Sequence, residues 1–105
     1  AYSGGQTVEV RQTSEFAHWL RNLRDRDAKG RIAVRLRRLS LGNFGDAKSL
    51  GRGLWELRIP HGPGYRVYFV RRGEKVVVLL CGGNKSRQAA DIDRARLLAK
   101  DVASD

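Results

Sequence analysis

The chain has one cysteine, two histidines and a marked shortage of acids. Cys81 cannot form an internal disulfide, so a reducing, cytoplasmic setting is expected. It lies inside an apolar run and reads as a small core residue rather than a nucleophile. His18 and His61 with a single thiol offer no metal-ligand spacing, so no metal or other cofactor is expected. His18 sits off the apolar stripe of its helix and reads as solvated. No run approaches the ~18 apolar residues of a membrane span. The opening residues have neither the basic start nor the apolar middle of a signal peptide. No serine sits in a Gly-x-Ser-x-Gly elbow, which argues against a nucleophilic triad. Gly82-Gly83-Asn84-Lys85-Ser86 ends like a phosphate loop but has no four-residue spacer between its glycines, which argues against nucleotide hydrolysis. There is no internal repeat, low-complexity tract or linker. The reading is a flexible lead-in over 1–7 and a single domain over 8–105.

What is abundant is positive charge. Lys and Arg number 21 against 11 Asp and Glu, a net charge of +10 on 105 residues. Ten uncompensated charges on so small a domain repel one another, which favours a polyanionic partner such as nucleic acid or the ribosome. Hydrophobic content of 41% against 30% charged is enough for a core, so the chain should be globular.

Three consecutive strands dominate the second half. Leu54 to Ile59 alternates, with Trp55, Leu57 and Ile59 opposite Glu56 and Arg58. Tyr65 to Arg71 alternates too, with Val67 and Phe69 opposite Arg66 and Tyr68. A period of two gives each strand one buried and one presented face. The presented face is expected to carry Glu56, Arg58, Arg66 and Tyr68. Val76 to Cys81 is apolar on both sides and suits a strand covered twice. Gly73-Glu74 suits a two-residue hairpin turn, and Pro60 to Gly64 a turn rich in punctuation.

Ahead of these, Val8 to Arg11 predicts a short strand. Thr13 or Ser14 then caps a helix with the stripe Phe16, Trp19, Leu20 and Leu23. Asp25 or Asp27 caps a second helix that buries Ala28, Ile32, Leu36 and Leu39. Its outer face carries Arg31, Arg35 and Arg38 at i, i+4, i+7. That ridge is either an ordinary solvated face or a set of phosphate contacts. Gly42 or Asn43 closes the helix in a left-handed conformation, and Lys48 falls in the loop that follows. Ser86 is the expected cap of a last helix, with Ala89, Ile92, Ala95 and Ala99 along one side.

The cations on the sheet face define one candidate chemistry. Cleavage of RNA by its own 2′-hydroxyl needs a proton acceptor, cations on the developing charge and a donor for the leaving oxygen. Arg58, Arg66 and Lys85 can supply charge; Glu56 or His61 can accept the proton; Tyr68 can hydrogen-bond or stack on a base.

The motifs Phe16-x-x-Trp19-Leu20, Arg31-Ile32-x-x-Arg35-Leu36-x-Arg38-Leu39, Gly42-Asn43-x-Gly45-Asp46-x-Lys48, Glu56-Leu57-Arg58-Ile59, Gly62-Pro63-Gly64-Tyr65-Arg66-Val67-Tyr68-Phe69 and Leu80-Cys81-Gly82-Gly83-Asn84-Lys85-Ser86 cover roughly residues 8 to 100. In these the chain resembles the RelE/ParE toxin superfamily, and within it the HigB-like, phage-derived addiction-module killer proteins. The resemblance implies an α+β fold in the order β-α-α-β-β-β-α. Its sheet would be mainly antiparallel, with an N-terminal helical hairpin packed on one face. It implies a metal-independent endoribonuclease, an mRNA interferase acting at the ribosome, neutralised by an antitoxin that is a helix-turn-helix protein. The carried-over catalytic positions are Arg66, Arg58 and Lys85, with Glu56 or His61 as base; Tyr68, Lys48, Arg31, Arg35 and Arg38 would contact RNA. Glu56 stands where well-known relatives have Lys, and the aromatic residue some relatives place near the C-terminus is absent after Tyr68. The ParE branch shares the fold but inhibits DNA gyrase without catalysis, which is the alternative activity.

Overall fold

The computed structural model describes residues 7–103, so the lead-in expected over 1–7 falls, apart from Thr7, outside the described residues. Strand β1 (Glu9–Gln12) runs into Thr13, whose hydroxyl accepts the Phe16 amide at 3.0 Å and starts helix α1 (Ser14–Arg21). Asp25 caps helix α2 (Arg26–Ser40) in the same way, accepting the Ala28 amide at 3.0 Å. Gly42, with φ of 88°, takes the left-handed turn that ends it. Four strands follow: β2 (Ala47–Gly51), β3 (Leu54–Ile59), β4 (Tyr65–Arg72) and β5 (Val76–Asn84). A 3₁₀ turn over Lys85–Arg87 then leads into α3 (Gln88–Ala103).

The fold is α+β, with a five-stranded, mostly antiparallel sheet in the order β1-β5-β4-β3-β2 and three helices among the described residues. The expected element order lacked one strand. Lys48 lies in β2, opposite Glu56, and not in a loop. The first strand pairs in parallel with β5, the single parallel pairing of the sheet. The β4–β5 turn is three residues, Gly73 to Lys75, rather than two.

Both faces of the sheet are covered. Phe16 of α1 and Ala28, Ile32 and Leu39 of α2 bury against Leu57, Ile59, Val67, Phe69, Val77 and Leu79. Ala95 and Leu98 of α3 bury against Leu54, Tyr68, Val70, Val78, Leu80 and Cys81 on the opposite face. The expected stripe of α3 holds for Ile92, Ala95 and Ala99, but Ala89 is exposed. Cys81 is buried as expected, and burial pushes its thiol up to about 12.

Leu80 is the extra residue of a bulge where β5 pairs with the Tyr68–Phe69 step of β4. The bulge resets the alternation, so Gly82 faces α1 and Gly83 faces α3. A Cβ on Gly82 would sit 2.5 Å from the Trp19 ring, and one on Gly83 would sit 1.9 Å from the Asp91 carboxylate. These glycines are clearances for two packed helices, not a phosphate cradle. Gly82→Ala should therefore cost about 1–3 kcal/mol by overpacking. Thermal melting checks this: an unchanged Tm would mean that Trp19 has room to swing away.

Candidate functional site

The site forms at one end of the sheet, beside the start of α3. Arg58 and Arg66 are direct cross-strand partners on β3 and β4 and share one face. Gly83 of β5 stands opposite Arg66 and contributes no side chain. The 3₁₀ turn brings Lys85 to the same rim. Its amide donates to the Gly64 carbonyl at 2.8 Å, and a Cβ on Gly64 would lie 3.4 Å from that of Lys85. Gly64 has φ of 81°, so glycine is needed here both for the turn and for the close approach. Asn84, not the expected Ser86, caps the turn; its side chain accepts the Ser86 amide at 3.0 Å. The result is a cleft of about 380 Å³ lined by Arg58, His61, Arg66, Lys85, Asp46 and the Pro60–Gly64 turn.

Two arginines placed opposite each other repel, so the pair needs a counter-ion. Glu56 supplies it from below. The face expected to be presented is therefore half hidden: Glu56 and Tyr68 are both 0% exposed beneath α3. Arg58 Nε donates to Glu56 Oε1 at 3.0 Å, and Gln88 of α3 donates to Oε2 at 2.7 Å. Burial pushes the Glu56 carboxyl up. The hydrogen bonds from Gln88 and Arg58 and the nearby charges of Arg66 and Arg58 outweigh it, and the group stays below its usual range. A buried carboxylate with both oxygens engaged is poorly suited to accept a proton from a substrate. Tyr68 has no free face for stacking, and burial raises its phenol well above the ordinary value. Arg66 Nε is buried and finds no acceptor among the protein atoms.

His61 is held differently. Its Nε2 lies 3.3 Å from Asp25 Oδ2, the second oxygen of the residue that caps α2. The Ala28 amide, chiefly, keeps Asp25 below the ordinary carboxylate range. Asp27 stands beside this pair. Among the described residues, Asp25, Asp27 and His61 are the one trio whose ligand atoms come within 4.8 Å of one another.

The basic ridge on α2 divides. The Arg35 guanidinium turns inward, donating to the carbonyls of Arg58, Phe44 at 3.3 Å and Asp46 at 3.0 Å. It ties α2 to the end of β3, and Gly45, with φ of 63°, lets it seat. Arg35 is thus a half-buried strut at the wall of the ridge rather than a fully open member of it. Arg31 and Arg38 remain exposed and line a second cleft of about 700 Å³ together with Arg26, Asp27, Val34, Arg35, Ile59 and Pro60. The two clefts share Ile59 and Pro60, so cations run from α2 to the Arg58–Arg66 end. Lys48 lies exposed on the edge strand and lines neither cleft. Of the residues that shape the site, sequence reasoning passed over Gln88, gave Asp25 only a capping role and set Arg35 on an open ridge. Asp25 carried a signal, since it was legible as a helix cap.

The chain is thus a small, very basic α+β protein with a cationic cleft at one sheet end, beside a buried carboxylate. The chain belongs to the family described as Phage derived protein Gp49-like (DUF891), whose model matches residues 18–100, and which is related to toxin–antitoxin modules. Membership implies a cognate antitoxin as partner. The chain is also similar to an uncharacterized protein of Haemophilus influenzae, 47% identical over 96 residues, covering 91% of this chain and 97% of that one. Among the described residues no helix is long and apolar enough to cross a membrane.

Proposed function

We propose that the chain is the toxin of a type II toxin–antitoxin module. In this reading it is a HigB-like, metal-independent endoribonuclease that cuts mRNA on the ribosome and so blocks translation. The observation that carries this reading is the convergence of Arg58, His61, Arg66 and Lys85 on one small cleft. Three of these are cations that can hold a phosphodiester, and the fourth is an imidazole, a side chain able to transfer a proton. His61 accepts the 2′-hydroxyl proton as O2′ forms its bond to phosphorus. Arg66 and Arg58, whose side chains line the cleft, balance charge on the phosphoryl oxygens. The P–O5′ bond breaks, and O5′ takes a proton from Lys85. The products are a 2′,3′-cyclic phosphate and a 5′-hydroxyl. Glu56 takes no proton in this scheme; it holds the arginines in place. Arg31 and Arg38 extend the positive track and position RNA without touching the scissile bond.

Induction without the antitoxin should arrest growth, with methionine incorporation failing before thymidine uptake. Primer extension on recovered mRNA should show discrete new ends. If thymidine uptake collapses first and mRNA stays intact, the ribonuclease reading is wrong and gyrase inhibition takes its place. If growth is unaffected, neither toxin reading survives.

A further inference from the structure

We propose that Asp25 is a positioning residue for His61, fixing the imidazole with Nε2–H toward the carboxylate and Nδ1 free to accept the proton of an RNA 2′-hydroxyl. This rests on the ribonuclease reading above and adds a residue outside the expected site. Asp25 divides its oxygens between two tasks. Oδ1 accepts the Ala28 amide at 3.0 Å, which anchors the carboxylate at the start of α2, and Oδ2 lies 3.3 Å from His61 Nε2. This amide, chiefly, and the His61 contact hold the carboxyl below its ordinary range.

The imidazole side of the contact is equally constrained. The His61 amide donates to the Ile59 carbonyl at 2.8 Å, and Gly64 donates to the His61 carbonyl at 3.1 Å. Gly62, with φ of 57°, has its Cβ position 3.8 Å from Asp25 Oδ2, so the turn closes directly over the acid. A side chain held from a turn and a helix cap at once has little freedom left. A carboxylate accepting from one imidazole nitrogen selects the neutral tautomer in which the other nitrogen is a bare acceptor. The charged groups beside the ring are Asp25, the cap of α2, and Asp27 in its first turn; Asp46, Arg58, Arg66 and Lys85 line the same cleft as His61.

The competing account is that Asp25 is a helix cap and nothing more. Asp25→Ser and Asp25→Asn separate the two, because Ser and Asn are good N-caps. A serine hydroxyl is too short to cap α2 and reach the ring, and an amide carries no charge. Both variants should melt within a few degrees of the parent. Single-turnover cleavage of a programmed mRNA on ribosomes should fall on the order of 10²-fold or more, since hydrolase acid–imidazole pairs lose about 10⁴-fold when the acid becomes an amide. Apparent affinity for ribosomes should change less than about twofold, because only the chemical step has lost support.

The second readout does not involve catalysis. Imidazole ¹⁵N shifts of the purified parent should report Nε2–H for neutral His61, and a mixture of tautomers in Asp25→Ser. Parent-like cleavage in the serine variant overturns the proposal. So does Nδ1–H in the parent. Activity abolished by EDTA and restored by Mg²⁺ also overturns it, because the Asp25–Asp27–His61 trio would then serve a cation. If the parent cuts no RNA but shows the Nε2–H tautomer, the ribonuclease reading fails, and the catalytic role of the pair falls with it.

Discussion

Arg66→Ala should abolish toxicity while the protein stays folded. Arg66 is the second residue of β4, stands opposite Arg58 and lines the cleft. In the proposed reaction its guanidinium meets a phosphoryl oxygen only as charge builds on it. Removing one such donor typically costs about 10²–10³-fold in turnover. The fold has little reason to suffer. Glu56 keeps its hydrogen bonds from Arg58 and Gln88, and the like-charge pair across β3 and β4 is relieved. The opposite possibility is that Arg66 mainly neutralises Glu56 and holds the sheet together. Growth curves after induction and thermal melting of the purified variant decide between them. A melting point near the parent's with toxicity gone supports a role in the chemistry. A collapse in Tm assigns Arg66 to structure instead.

The largest expected loss of stability comes from Glu56→Ala. The parent buries this carboxylate fully and engages both oxygens. Its removal leaves the Gln88 amide without that partner and sets Arg58 against Arg66 with no counter-ion between them. Breaking a buried, hydrogen-bonded charge network from one side costs about 3–5 kcal/mol. On a domain of this size each kcal/mol is worth about 4–8 °C, so Tm should fall by more than 10 °C.

The pH dependence has a definite sign. The folded carboxyl lies below its ordinary value, so its stabilisation is complete above the unfolded pKa of about 4.3 and is lost as pH falls through the lower folded value. Glu56→Gln keeps the shape and loses the charge. It should therefore melt below the parent at neutral pH, and the gap should close in acid. A gap that stays constant down to pH 3 would show that the charge contributes nothing. The same variants bear on function: if Glu56 were the proton acceptor, Glu56→Gln would lose turnover with little loss of stability.

These expectations depend on features that the chain reveals unequally. Periodicity in Leu54 to Ile59 and Tyr65 to Arg71 correctly grouped Glu56, Arg58, Arg66 and Tyr68 on one face, because side chains in a strand alternate whatever surrounds them. The caps at Thr13 and Asp25 and the left-handed Gly42 were equally legible, since each is a local backbone requirement met within three residues. The short strand β2 escaped notice. Ala47–Gly51 has no apolar alternation of its own and is a strand because β3 pairs with it.

The sequence by itself therefore determined the α+β class, the core stripes of α1 and α2, the cationic character and the shared face of the two arginines. Only the tertiary structure decided which of those residues meet solvent. Alternation says on which side of a sheet a residue lies, but α3, contributed by Gln88–Ala103, determines that Glu56 and Tyr68 are sealed while Arg58 and Arg66 stay reachable. Helical spacing put Arg35 in line with Arg31 and Arg38, but the carbonyls of Arg58 at the end of β3 and of Phe44 and Asp46 before β2 drew its guanidinium inward. The contact between Asp25 and His61 joins a helix cap to a distant turn. No local propensity encodes such a pairing, because it exists only once α2 packs against the strand that leads into that turn.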